Sequence, residues 1–130
     1  MKIKIRKAKK GDEVSIAQHN CLMAMETENK TLHAKTVLKG VKAVINDEQK
    51  GFYLVAESIT LTPYLSPAGE RSTTVAGNLM ITFEWSDWRN SNIWWIQSVY
   101  VKKEFRNKGI YRITFIFWGV ICIRQITFQV

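Results

Sequence analysis

The first half of the chain carries one strand pattern followed by two helical patterns. Residues Lys2 to Ala8 alternate charged and apolar side chains, which predicts a strand with one solvent-exposed face. Apolar residues then recur at roughly helical spacing from the turn at Gly11-Asp12 to about Glu28, and again from about His33 to Asn46. The second helix has Gly40 in its interior, where a glycine lowers helix stability and is expected to allow close packing.

Three strand patterns follow the helices. Gly51 to Glu57 is a nearly continuous apolar run, as expected for a strand covered on both faces. The polar, turn-rich stretch from Ser58 to Thr74 predicts a long hairpin loop. Val75 to Trp85 and Ile93 to Val101 read as two further strands around a turn of polar residues. The order predicts an α+β fold, with a mostly antiparallel central sheet flanked by helices.

Length and composition indicate one globular domain, residues 1–130. The hydrophobic fraction of 46% and the charged fraction of 23% are ordinary for such a domain. The two cysteines, Cys21 and Cys122, follow no secretory signal and have no paired spacing, so we expect free thiols in the cytoplasm. The longest apolar run, Ile113 to Ile123, is too short to cross a bilayer, and we expect no membrane association.

The formal net charge of +8 favours an anionic partner. One basic cluster is interpreted as the solvated face of an edge strand, where lysines discourage aggregation; it contains Lys2, Lys4, Arg6, Lys7, Lys9 and Lys10. A second cluster surrounds a glycine turn; it contains Lys102, Lys103, Arg106, Lys108 and Arg112.

The glycine turn at Arg106 to Tyr111 follows a predicted strand and precedes a sequence able to start a helix. The first N–H groups of a helix have no intrahelical partner, and with the helix dipole they bind phosphate. Gly109 lets the backbone approach the ligand, so a diphosphate is the expected ligand. The residues match neither the Walker pattern nor the dinucleotide glycine fingerprint.

The stretch from Gln97 to Tyr111 resembles the fourth strand and coenzyme A loop of the GNAT N-acetyltransferases, whose pattern is Gln/Arg-x-x-Gly-x-Gly/Ala. Residues Ala76 to Ile81 resemble the third strand of that family. The resemblance implies acetyl-CoA as co-substrate, no metal, and a small amine or a protein amino group as acceptor. It implies that backbone groups of Val99 and Val101 pair with the pantetheine arm. Tyr111 stands where the family has a small residue. The implied coenzyme A site comprises Val99, Tyr100, Val101, Arg106, Asn107, Lys108, Gly109, Ile110, Tyr111 and Arg112.

In this family the acceptor amine attacks the thioester directly, so the protein positions the substrates and takes a proton. The family often has a glutamate as base two residues before the Val-Tyr-Val triplet, and this chain has Gln97 there, which cannot take a proton. Glu84 is therefore the candidate base, and Asp87 is the other nearby carboxylate. Four tryptophans flank the same hairpin and either line an acceptor pocket or pack against the helices or a dimer partner; they are Trp85, Trp88, Trp94 and Trp95.

The stretch from Ile113 to Val130 departs from the family, because it is rich in β-branched and aromatic residues and has almost no polar face. One explanation is a frameshift or early stop after about Arg112. The other is an element that completes the sheet of a second subunit, which makes a homodimer the expectation. Either explanation predicts weak coenzyme A binding and low activity.

Two alternatives to an active enzyme stay open from the sequence. One is a catalytically inactive coenzyme A-binding or regulatory module with the same fold. The other is a nucleic-acid-binding module that uses the two basic clusters on phosphates. The tryptophans lie beside Asp87 and Asn90 rather than among lysines, which disfavours a single-strand reader.

Overall fold

The computed structural model describes residues 2–61 and 71–112. Its elements follow the predicted order: β1 (Lys2–Lys7), α1 (Glu13–Glu28), α2 (Ala34–Asn46), β2 (Phe52–Leu61), β3 (Arg71–Ser86), β4 (Ser91–Val101) and a 3₁₀ helix (Lys103–Phe105). The predicted α+β class is confirmed. The expectations for residues 113–130, including those for Cys122, lie outside the described residues.

The four strands form one antiparallel sheet in the order β1-β2-β3-β4. The predicted loop from Ser58 to Thr74 was too long, because β2 and β3 continue to pair from Ser58↔Thr74 to Leu61↔Arg71. These positions are rich in serine and threonine, and polar side chains on a solvated sheet face do not prevent the backbone ladder from continuing. The polar composition of these positions therefore led to a loop being predicted where the last four residues of β2 pair with the first four of β3.

The two helices cover one face of the sheet. Ile16 and Ala17 of α1 and Val41 and Val44 of α2 pack against Tyr53 and Val55 of β2. The opposite sheet face has a second core, in which buried Leu54, Leu79 and Ile81 contact partly buried side chains; these are Phe52, Phe83, Trp94, Ile96 and Val99. Strand β2 is thus apolar on both faces, as predicted.

Local contacts correct two expectations. Arg6 is not part of a solvated basic face, because its guanidinium donates to both carboxylate oxygens of Asp12 at 2.7 and 3.0 Å and to Glu57 at 3.2 Å. Gly40 does not mediate close packing, since a Cβ at this position would have no atom within 4 Å. His33 caps α2 by accepting from the N–H of Thr36.

Two negative findings apply to the described ranges only. None of the helices within residues 2–61 and 71–112 is long and apolar enough to cross a membrane. The same residues contain no group of three His, Cys, Asp or Glu side chains placed to hold a metal ion.

Candidate functional site

Strand β4 is interrupted by a bulge at Ser98. The pairing shifts between Asn78↔Tyr100 and Met80↔Gln97, so that Ser98 and Val99 together oppose the single residue Leu79. Ser98 has a φ of 51°, which is uncommon for a residue other than glycine. A bulge bends its strand and re-aims the following residues. Tyr100 and Val101, the last two residues of β4, therefore follow a bend in the strand while they still pair with Asn78 and Gly77 of β3.

A buried hydrogen-bond network holds this bulge in place. Asn78 donates from its amide nitrogen to the carbonyl of Ser98 at 3.5 Å, and its Oδ1 lies 2.6 Å from Nδ1 of His19. His19 is only 2% exposed and lies 5.0 Å from the Tyr100 ring, centroid to centroid. Burial lowers the pKa of His19, and the hydrogen bond to Asn78 opposes this shift only in part. The neutral imidazole thus donates its Nδ1–H to Asn78 and connects α1 to the bulge.

Beyond the bulge, every second residue of β4 points its backbone N–H and C=O groups toward the outer edge of the sheet. The N–H of Lys102 bonds the carbonyl of Ala76 at 2.8 Å, so in an antiparallel ladder Tyr100 also points its backbone groups toward β3. The backbone groups of Val99 and Val101 then face the outer edge. Arg106 donates from Nε to the Val101 carbonyl at 2.8 Å.

A tight turn follows the 3₁₀ helix. Asn107 has a φ of 62° and Gly109 a φ of 75°, so two residues of this turn are left-handed. Residues 110–112 are helical, and Ile110 fastens them to the sheet because it is only 2% exposed and packs in a cluster with Ala56 and Ala76. Left-handed residues next to helical ones turn successive N–H groups toward one side, which suits an anion. A Cβ at Gly109 would have no atom within 4 Å, so the concave side of the turn is open.

Of the basic side chains around this turn, one is held by contacts with α1 and two are exposed to solvent. Arg106 donates to Glu26 of α1 at 2.7 Å and lies over the Tyr100 ring at 5.4 Å. The hydrogen bond between Arg106 and Glu26 lowers the pKa of the Glu26 carboxyl and raises the pKa of the Arg106 guanidinium. Both members of the pair are therefore ionised. Lys108 and Arg112 are exposed. Arg106 thus fixes the turn to α1, while Lys108 and Arg112 supply positive charge around it.

Comparison with solved structures decides the family. A possible acetyltransferase from Clostridium difficile 630 is 43% identical to this chain, with a TM-score of 0.77. The match covers 92% of this chain and 70% of that protein. A GNAT family acetyltransferase from Staphylococcus aureus is 14% identical, with a TM-score of 0.67 over 96% of this chain and 81% of that one. The chain belongs to the GNAT acetyltransferase family.

A third solved structure extends the fold comparison for this GNAT protein. Glucosamine-6-phosphate N-acetyltransferase from Arabidopsis thaliana is 16% identical, with a TM-score of 0.62, and the match covers 96% of this chain and 75% of that one. At this identity the likeness shows the fold alone. No protein-family model and no curated protein matches the chain.

The coenzyme A residues implied by the GNAT resemblance lie together. Val99, Tyr100 and Val101 form the end of β4, and residues 106–112 form the turn and helical start directly after it. Their side chains differ in environment: Tyr100 and Ile110 are buried, whereas Lys108 and Tyr111 are exposed. Coenzyme A binding by these residues stays a prediction.

The two candidate catalytic residues, Gln97 and Glu84, lie on the helix-facing side of the sheet, at different positions along the strands. Gln97 directly precedes the bulge and donates to Thr82 at 2.9 Å. Glu84 is exposed and accepts from the Trp95 indole at 2.6 Å. Glu84 lies four residues along β3 from Met80, the partner of Gln97, which is about 13 Å at the usual rise of a strand. Its role as base stays a prediction, and this separation counts against it.

The four tryptophans do not form one group. Trp94 packs edge-on against Phe52 and Phe83 in the core below the sheet, with ring centroids 5.7 and 5.4 Å apart. Trp88 is 95% exposed in the turn, and Trp85 and Trp95 are at least half exposed. Trp94 therefore packs in the core on the sheet face opposite the helices, which is neither of the two roles that the sequence analysis offered.

Sequence reasoning missed the residues that hold the site. The sequence analysis assigned no role to His19, Asn78 or Glu26. The contacts that give them one join residues 59 apart, for His19 and Asn78, and 80 apart, for Glu26 and Arg106. No local pattern marks such pairs, and only the packing of α1 across the sheet reveals them.

Proposed function

We propose that this GNAT protein transfers the acetyl group of acetyl-CoA to a primary amine in a ternary complex. The observation that carries the proposal is the end of β4, where a held bulge, an outward-facing backbone and an open left-handed turn follow one another within residues 98–110. An extended, amide-containing arm that ends in a diphosphate matches this sequence of features. The identity of 43% to a possible acetyltransferase supports the same reading.

In this proposal the chain's own groups bind and orient the co-substrate. The outward C=O group of Val99 and the N–H of Val101 would pair with the pantetheine amides. The N–H groups from Asn107 to Arg112 would hold the diphosphate, with Lys108 and Arg112 adding charge. The thioester end then lies toward Ser98 and Gln97. Tyr111, where the family has a small residue, is half exposed rather than wedged into the sheet, so it leaves the turn open.

The reaction needs no group beyond the two substrates and a proton acceptor. The amine nitrogen forms a bond to the acyl carbon, the carbon–sulfur bond breaks, and coenzyme A leaves as a thiol that takes up the equivalent of the proton lost by nitrogen. Direct attack depends mainly on holding both substrates in position. A fixed N–H close to the bulge, such as that of Val99, would stabilise charge on the thioester oxygen.

Two glycines provide a matched test. Gly109 and Gly11 both have positive φ, at 75° and 105°, and a Cβ at either would have no atom within 4 Å. A valine at either position is strained by about 1–2 kcal/mol for reasons of backbone conformation alone. We therefore expect both Gly109→Val and Gly11→Val to lower the melting temperature. Only Gly109→Val is expected to weaken acetyl-CoA binding, by about tenfold or more in a calorimetric titration.

The control decides how the result is interpreted. Equal loss of acetyl-CoA affinity in both variants would mean that strain, and not the turn, is responsible. Unchanged affinity in Gly109→Val would remove the turn from the proposed site. Binding without release of thiol in the presence of amines would favour an inactive coenzyme A-binding module instead.

Two further features go with the proposal as predictions. The cytoplasm is the proposed location, because a GNAT enzyme of this kind uses acetyl-CoA made inside the cell. A homodimer is the proposed assembly, and sedimentation of the purified protein at several concentrations tests it.

A further inference from the structure

The outer side of α1 carries apolar residues although the inner side of this helix is already buried. Ile16 and Ala24 are among its buried residues. Val14, Leu22 and Met25 are nevertheless 53%, 46% and 45% exposed. Their spacing of eight and three residues places all three on one side of the helix. A helix that is apolar on opposite sides is normally covered on both.

An apolar groove of about 470 Å³ adjoins this side of α1. Helix α1 supplies one wall and α2 supplies the other. The groove is lined by Val14, Ala17, Gln18, Cys21, Leu22, Ala34 and Leu38, of which only Gln18 has a strongly polar side chain. Single exposed apolar residues are ordinary, but apolar residues that join into a continuous surface mark an interaction site.

A second copy of α1 fits this surface when it runs antiparallel to the first. Val14 and Leu22 lie four residues before and after Gln18. With Gln18 on a two-fold axis, Val14 of one copy therefore meets Leu22 of the other. The two Gln18 amides then face each other, and each offers both a donor and an acceptor. The axis produces every contact twice, so the surface complements itself.

The charges of the two helices also favour a second copy as the partner. The chain carries a formal net charge of +8, which opposes self-association over most of its surface. Helix α1 is an exception, since it contains three glutamates and no lysine or arginine. Helix α2 contains three lysines and no acidic residue. In the groove, α1 of one copy approaches α2 of the other, so the two helices attract each other.

The charges next to the ends of α1 favour the antiparallel arrangement over a parallel one. The residues around its start are net basic; they are Lys9, Lys10, Glu13 and Lys42, with Asp12 paired to Arg6. At its other end, Glu28 balances Lys30, and Glu26 is paired with Arg106. An antiparallel contact places Lys10 of one copy beside Glu28 of the other, whereas a parallel contact would bring the two basic ends together.

We infer that the outer side of α1 and the adjoining groove form the interface of a homodimer, in which α1 packs antiparallel against α1 of a second copy with Gln18 on the two-fold axis. The inference rests on the homodimer of the proposed function, supplies its contact surface, and is independent of acetyl transfer. His19, which holds the β4 bulge, lies on the sheet side of α1. A partner on the outer side therefore leaves the end of β4 open.

Sedimentation equilibrium without acetyl-CoA tests the apolar part of the interface. Leu22→Glu places a carboxylate against apolar residues in both halves of the contact, and we expect the dimer dissociation constant to rise about tenfold or more. Trp88→Glu is the matched control, because Trp88 is 95% exposed in the turn between β3 and β4. We expect this control to change the constant less than twofold. A melting temperature near that of the wild type confirms that both variants fold.

A charge exchange tests the antiparallel register. Lys10→Glu and Glu28→Lys should each raise the dimer dissociation constant about threefold or more, whereas the variant with both changes should return close to the wild-type value. Net charge is controlled by Lys39→Glu and Glu48→Lys, which alter exposed residues outside the groove and should have little effect.

Three outcomes would overturn the interface. They are a wild-type chain that is monomeric at every concentration, a dimer that Leu22→Glu leaves intact, and losses from the two charge changes that add instead of cancelling. Acetyl transfer by a monomeric chain would overturn the interface and leave the proposed reaction standing, whereas a dimer that responds as expected but does not bind acetyl-CoA would do the reverse.

Discussion

Replacing Asn78 by leucine tests the network that holds the β4 bulge. In the wild type, Asn78 Oδ1 accepts from the Nδ1–H of His19, which is 2% exposed. The variant leaves that N–H buried without a partner, which costs about 1–3 kcal/mol. For a chain of this size each kcal/mol lowers the melting temperature by roughly 4 °C. Urea unfolding monitored by tryptophan fluorescence measures the same loss as a free energy.

A double-mutant cycle distinguishes this pair from general packing. His19→Leu alone leaves Asn78 Oδ1 without its donor, whereas His19→Leu with Asn78→Leu removes both polar partners together. The double variant should therefore lose less stability than the sum of the two single variants, by about 1 kcal/mol or more. Strictly additive losses would refute the reasoning, because they would mean that the two side chains contribute independently.

The same cycle has a pH dependence with a defined sign. The pKa of His19 lies below its ordinary value of 6.5 in the folded state, so the unfolded state binds more protons as the pH falls below about 6.5. Wild-type stability should thus decline from pH 7 toward pH 5. Variants with leucine at position 19 should lose this part of the slope, and an unchanged slope would contradict a buried neutral His19.

Two further substitutions test other parts of the account. Asp12 accepts from Arg6 and from the N–H of Lys9, and although burial raises the pKa of Asp12, these hydrogen bonds outweigh it and leave the pKa below 3.8. Ionised Asp12 therefore stabilises the fold above about pH 4, and this stabilisation is lost at lower pH. Asp12→Asn should lower the free energy of unfolding by about 2 kcal/mol at pH 7. It should also make stability depend less on pH below about pH 4, as measured by urea unfolding. For Glu84→Gln, we expect kcat within about twofold of wild type because of the distance from the bulge, whereas a fall of about 100-fold would identify Glu84 as the base.

Periodicity predicted the elements that carry their own pattern. The alternation in β1 and the helical spacing in α1 and α2 each reflect one face that packs against the sheet core, and their bounds differ from the structure by only one or two residues. The hairpin between β2 and β3 was misjudged because serine, threonine, proline and glycine dominate Ser58 to Thr74, although Ser58 to Leu61 still alternate polar and apolar residues as a strand does.

The candidate site was predicted in part, for similar reasons. The turn at Asn107 to Gly109 could be found because glycine and asparagine are the residues that adopt left-handed conformations most easily. The bulge could not, because its left-handed residue is Ser98, and what holds it is a contact to Asn78 on another strand.

The central claim is that the end of β4 brings acetyl-CoA to an amine. The most direct measurement incubates the purified chain with acetyl-CoA carrying a ¹³C-labelled acetyl group and with a panel of primary amines, and follows both products by mass spectrometry and thiol titration. The account predicts a labelled N-acetylated amine and free coenzyme A in equal amounts, with both reduced in Gly109→Val and retained in Gly11→Val. Thiol release without acetylated amine, or equal product from both variants, would contradict it.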